Sequence, residues 1–135
     1  MNRGIVVVGS LILDKHFTMA TYPEKSSLSR VNRAEEYLGG SGNIILDLAH
    51  LDQSLHIQVV GMVGTGAHGR AIRKVLNRYP QIDTSPIKKG LNTSVTLVMN
   101  ALDDKSRTFF TFLEQVMSSP SKILNGINWM QIFSN

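Results

Sequence analysis

Tyr37-Leu38-Gly39-Gly40-Ser41-Gly42-Asn43 runs without a break into Ile44-Ile45-Leu46-Asp47-Leu48-Ala49-His50-Leu51. Three glycines in four positions let the backbone take positive φ and come close to a ligand. The apolar segment after them is long enough for about two and a half helical turns, and Asn43 stands at its mouth. A Gly-rich turn feeding a helix start leaves N–H groups pointing into a cleft. Such a turn holds a small polar molecule or simply joins a strand to a helix. Being apolar nearly all round, Asn43–Leu51 reads as a buried helix. Asp47 and His50 read as a weak surface pair on it.

Upstream, Gly4-Ile5-Val6-Val7-Val8-Gly9 is continuously apolar and β-branched, as in a strand covered on both faces of a parallel or mixed sheet. Ser10 to Asp14 is expected to lead the chain out of that strand's carboxyl end, where ligands of open α/β sheets gather. His16–Tyr22 and Leu28–Leu38 read as extended pieces of a small excursion outside the main core. Downstream, Ile57–Val63 predicts a second buried strand that runs into Gly64-Thr65-Gly66-Ala67-His68-Gly69. An amphipathic helix follows, with Ala71, Ile72, Val75, Leu76 and Tyr79 inward and Pro80 as its stop. Gln81–Ile87 is a short extended piece. Thr93–Met99 and Arg107–Leu113 flank Asp103–Ser106 as a hairpin. Ser118 to Pro120 opens a helix, and Trp129–Phe133 is a last strand candidate. This order gives an α/β sheet with a peripheral β element.

At 135 residues the chain is one domain or part of one. It has no cysteine, which excludes disulfides and thiolate metal sites and fits a reducing, cytoplasmic setting. No run approaches the ~18 apolar residues of a membrane helix. Asp14-Lys15-His16 interrupts the apolar N-terminal region too early for a signal peptide, so no membrane partner is expected. The net charge of +4 comes from dispersed residues. Arg70, Arg73, Lys74 and Arg78 share one helix face and Lys88-Lys89 form a separate pair, which reads as solvated surface and not as a nucleic-acid patch.

Two glycine clusters compete for the site. Gly64–Gly69 spells G-x-G-x-x-G between a strand and a helix, with Asp83 near the spacing of a ribose-binding acid. Taken alone it suggests an NAD(P)-binding domain, although the fingerprint normally opens its fold earlier. The wider constellation points elsewhere. Gly9-Ser10 with Asp14, then Gly39-Gly40-Ser41-Gly42-Asn43 opening a helix, then Val60–Gly64 with Gly69, resembles the PfkB/ribokinase family of carbohydrate and nucleoside kinases. The Asn92-Thr93-Ser94 strand and the Arg107–Phe112 strand after an acidic turn extend the resemblance, in order, over essentially the whole chain.

That resemblance implies a ribokinase-like, Rossmann-type layered α/β sheet with a small peripheral β lid at about residues 16–38. It implies ATP-dependent phosphoryl transfer to a sugar or nucleoside hydroxyl, with Mg²⁺. Asp14, Gly40 and Asn43 are the implied substrate-binding residues, and Gly39 shapes the turn. A carboxylate acceptor with an amide that both donates and accepts suits a polyol. The chain departs from the family pattern in four places. The spacer before Asn43 is missing, Ile12 stands where a polar residue is common, Gly66 stands where Asp is common, and Asp52 ends the helix where Gly is usual. The family's Gly-Ala-Gly-Asp segment, which supplies the catalytic base, and its ATP-binding residues are absent from the sequence. Residues 1–135 are therefore expected to be the N-terminal, substrate-side portion of such a kinase, inactive alone, with no catalytic, cofactor or metal residues. A homodimer through the lid strands, or a purely binding role, is the alternative.

Overall fold

The structure is a computed structural model that describes residues 4–112. Its strands are β1 (Gly4–Val8), β2 (Leu11–Met19), β3 (Val31–Gly40), β4 (His56–Val60), β5 (Met62–Gly64), β6 (Ile82–Asp83), β7 (Lys88–Gly90), β8 (Ser94–Ala101) and β9 (Arg107–Phe112). Two helices, α1 (Ser41–Leu51) and α2 (Ala67–Leu76), lie between them. A parallel sheet has the order β1-β4-β6, a mixed sheet the order β3-β2-β8-β9, and β5 pairs with β7. The expected helix after Ser118 and the strand at Trp129–Phe133 lie outside the described residues.

Strand β2 differs from expectation. Past Ser10 the chain leaves the sheet of β1 and at once enters another: Leu11 begins a nine-residue strand. It pairs antiparallel with β3 and parallel with β8, so it sits inside a four-stranded sheet. Leu11, Leu13 and Met19 are buried on one face, which is the period-two pattern of a half-buried strand. Asp14, Lys15 and His16 obscure that alternation in the sequence because they fall on both faces. The expected excursion thus supplies two strands of a four-stranded sheet.

Two other boundaries moved. Ile57–Val63 is broken at Gly61 into β4 and β5, where a Cβ would lie 2.9 Å from the Gly9 carbonyl oxygen. Lys88-Lys89, read only as a basic pair, belongs to β7 beside Met62–Gly64.

The core lies between the sheets and the helices. Ile45 and Ala49 from α1, Ile57 and Val59 from β4, and Ile72 and Leu76 from α2 are almost wholly buried. Truncating any of the large ones to Ala should cost about 2–5 kcal/mol. α1 is only half covered among the described residues, with Ile44 57% and Leu51 82% exposed. His50 does not face Asp47 as a partner; its Nε2 lies 3.0 Å from the Tyr79 hydroxyl. Gln81 donates to the Ala49 carbonyl, a second tie between α1 and the segment after α2. Two of the four basic residues of the α2 region also have structural roles. Arg70 donates to the Thr65 carbonyl and Arg73 to the Ile87 carbonyl.

Candidate substrate site

The end of β1, the start of β2 and the start of α1 are tied together by backbone. Gly9 N–H donates to the Val60 carbonyl, and Ser41 N–H donates to the Ser10 carbonyl at 2.9 Å. Gly40 makes the turn from β3 into α1 at φ +59°, the only positive-φ glycine among the described residues. A Cβ there would meet the Ser10 carbonyl oxygen at 2.5 Å, so glycine is required by conformation and by space. Gly40 is also the N-cap of α1, with no side-chain capping bond. The N–H groups of Gly42 and Asn43 fall in the first turn, where an α-helix supplies no acceptor of its own. Asn43 is not at the mouth of the helix but inside this first turn, with its side chain exposed.

Asp14 lies on the central strand of the mixed sheet. Its neighbours in register are Tyr37 on β3 and Thr96 on β8, and Thr96 in turn faces Thr111 on β9. Registered partners share a sheet face, so these four side chains form one row. The carboxylate leans over Gly39, where an added Cβ would lie 2.4–2.5 Å from all three carboxyl atoms. Gly39 therefore serves as the floor beneath Asp14. Partial burial raises the Asp14 pKa above the ordinary 3.8, while the His16 charge and a hydrogen bond from Thr96 pull it back. Thr96 Oγ1 lies 3.3 Å from Thr111 Oγ1, continuing the polar row.

The structure thus brings Asp14 and Gly39 into contact, sets Gly40 against Ser10 and Ile12, and places Asn43 on the adjoining helical turn. His16, Tyr37 and Thr96 were not singled out in the sequence, because only the strand register puts them beside Asp14. Such an arrangement can accept hydrogen bonds from hydroxyls at the carboxylate and donate from the helix start.

The second glycine cluster has a different geometry. A Cβ on Gly69 would lie 1.8 Å from the Gly64 carbonyl oxygen, so this glycine lets α2 pack on the preceding turn. Asp83 sits on β6 beside β4, in a different sheet from β5. Its carboxylate accepts from Gln58 Nε2 at 3.0 Å and from Ser85 N–H at 2.9 Å. Despite a desolvation penalty, these bonds and the His56 charge hold its pKa below the ordinary value. A cleft of about 400 Å³ opens beside Gly66–His68, lined also by Lys15, Asn92 and Thr93. Lys15 falls on the opposite face of β2 from Asp14, so this cleft is separate from the Asp14 row.

The model of the pfkB family of carbohydrate kinases matches residues 2–134. This chain belongs to that family. It is also 32% identical over 77 residues to the bifunctional protein HldE of Salmonella dublin, over 54% of this chain and 16% of that protein. Among solved structures it is similar to Arabidopsis thaliana ribokinase complexed with ribose and ATP. That match has a TM-score of 0.69 at 20% identity, over 83% of this chain and 36% of the other. The Methanocaldococcus jannaschii nucleoside kinase, a member of the ribokinase family, gives a TM-score of 0.66 at 17% identity, over 84% and 37%. The structural likenesses show a ribokinase-like fold. The pfkB chain spans well under half the length of these relatives. Among its described residues no group of three or more His, Asp or Glu side chains is placed to hold a metal ion. No helix described is long and apolar enough to cross a membrane.

Proposed function

We propose that residues 4–112 form the acceptor-binding part of an ATP-dependent sugar or nucleoside kinase. Asp14 accepts hydrogen bonds from substrate hydroxyls, Gly39 seats its carboxylate, Gly40 makes the turn into α1, and Asn43 contributes from the first turn of α1. The observation that carries this reading is the Asp14 carboxylate poised over Gly39 beside the start of α1. The ribose bound by the Arabidopsis thaliana neighbour supports a sugar as the ligand class. ATP and Mg²⁺ would be held by residues other than those described, and the work of this part is binding and orienting the acceptor. Strands β2 and β3 would shield it from water, favouring transfer to the hydroxyl over hydrolysis.

The 135 residues alone are expected to bind an acceptor without phosphorylating it. Incubation with ATP, Mg²⁺ and ribose, fructose, adenosine or pseudouridine should yield no phosphorylated product. Turnover that disappears in Asp14→Ala would overturn the inactivity. A second reading, a self-associating module, is favoured by β9, where Phe109, Phe110 and Phe112 are exposed and which is, among the described residues, an edge of the mixed sheet. Sedimentation velocity should then show dimers that Phe110→Lys disperses; a monomer at high concentration would count against it.

A further inference from the structure

We propose that Tyr37 is a stacking platform that selects a cyclic, uncharged polyol over an acyclic one at the Asp14 site. This inference rests on the acceptor-site reading above and adds a residue that decides which acceptors fit.

Tyr37 is the register partner of Asp14 and lies two residues before Gly39 on the same face of β3. Register sets Tyr37 directly beside Asp14, and Gly39 adds no side chain between them and the start of α1. The residue is 47% exposed, yet its ring is braced at both ends. The His16 ring meets it edge-on at 4.9 Å between centroids and 73° between planes. Its hydroxyl is hydrogen-bonded to Glu35, which is the leading cause of a raised phenol pKa. An aromatic side chain with two torsions and both ends held presents its face with little further entropy to lose.

A furanose or pyranose offers hydroxyls at its rim and a continuous C–H face. The rim matches the carboxylate of Asp14, and the C–H face matches an aromatic ring. An open-chain polyol has the same hydroxyls without a fixed apolar face. Charge points the same way. On this face Glu35 is ion-paired with Arg33, and Asp14 accepts from Thr96. An anionic ring would therefore face a carboxylate with the nearby guanidinium already paired.

The test titrates the full 135-residue chain by NMR with D-ribose and D-fructose, against ribitol and D-sorbitol as open-chain probes and ribose 5-phosphate as the anionic one. The unmodified chain should bind the cyclic sugars more tightly than either other class. Tyr37→Leu, which keeps bulk without a π face, and Tyr37→Ala should weaken the cyclic sugars about three- to tenfold and leave the open-chain polyols within about twofold. Tyr37→Phe should retain the cyclic preference. Equal losses for both classes, or no loss for cyclic sugars in a chain whose binding still depends on Asp14, would refute the platform alone. Binding unchanged in Asp14→Asn, or no binding of any probe, would remove the acceptor site and the platform with it.

Discussion

Substituting Gly39 by alanine places a methyl group where the Asp14 carboxylate already is. The added Cβ would lie 2.4–2.5 Å from the carboxyl carbon and both oxygens, inside van der Waals contact. Overpacking of this kind costs about 1–3 kcal/mol. Rotation of Asp14 is not a free escape, because Tyr37 and Thr96 flank it in register and Thr96 bonds its carboxylate. Gly39 has no positive φ, so the backbone itself accepts alanine, which in a strand gains about 0.5–1 kcal/mol over glycine. The sign of the effect should therefore depend on Asp14. Net of that gain, Gly39→Ala should destabilise the unmodified chain by up to about 2.5 kcal/mol, and in an Asp14→Ala background it should be neutral or stabilising. Urea unfolding of the four chains, followed by far-UV circular dichroism, closes the double-mutant cycle. A coupling of about 2 kcal/mol is expected for residues in direct contact. Additivity within about 0.5 kcal/mol would show that the carboxylate does not rest on Gly39, and the site as described would be wrong.

The glycines of the second cluster should separate by geometry. Gly69→Ala drives a methyl into the Gly64 carbonyl at 1.8 Å and should cost about 3 kcal/mol or more. Gly66, with nothing within 4 Å of its added Cβ, should tolerate alanine within about 0.5 kcal/mol in the same urea assay. The raised pKa of Asp14 gives a pH signature. Above the ordinary carboxylate value the folded chain holds this proton more tightly than the unfolded one, so stability falls as pH rises up to the raised value. Asp14→Asn lacks that loss. Its stability relative to the unmodified chain should climb through this window and level off above it, as read by thermal unfolding at a series of pH values.

Much of the architecture was legible because its signals are local. Gly4–Gly9 reads as a strand, α2 alternates at helical period, and Asp103–Ser106 turns a hairpin between β8 and β9, but the expected cover on both faces of β1 is not provided by the described residues, where Ile5 and Val8 stay exposed. Signals that depend on distant backbone were not legible. Nothing near Gly61 announces that the Gly9 carbonyl passes there, so one strand was expected where there are two. β2 was misread because Asp14, Lys15 and His16 mask its alternation, while pairing on both sides holds it in the sheet. The apolar faces of Ile44 and Leu51 suggested burial that the described residues do not provide. At the site, Asp14 and the glycines stood out through family resemblance, whereas their mutual contact is a product of register. Tyr37 and His16 carried no signal in the sequence, since an aromatic and a histidine in an extended segment read as ordinary strand residues.

The proposed acceptor site at Asp14 and the second glycine cluster should respond to different ligands. Assigned ¹⁵N–¹H spectra of the chain titrated with D-ribose and, separately, with NADH test it most directly. Sugar-dependent shifts confined to Ile12–His16, Tyr37–Asn43 and Thr96, and lost in Asp14→Asn, are expected. Shifts centred on Gly64–Gly69, or an NADH response there with no sugar response at Asp14, would contradict it.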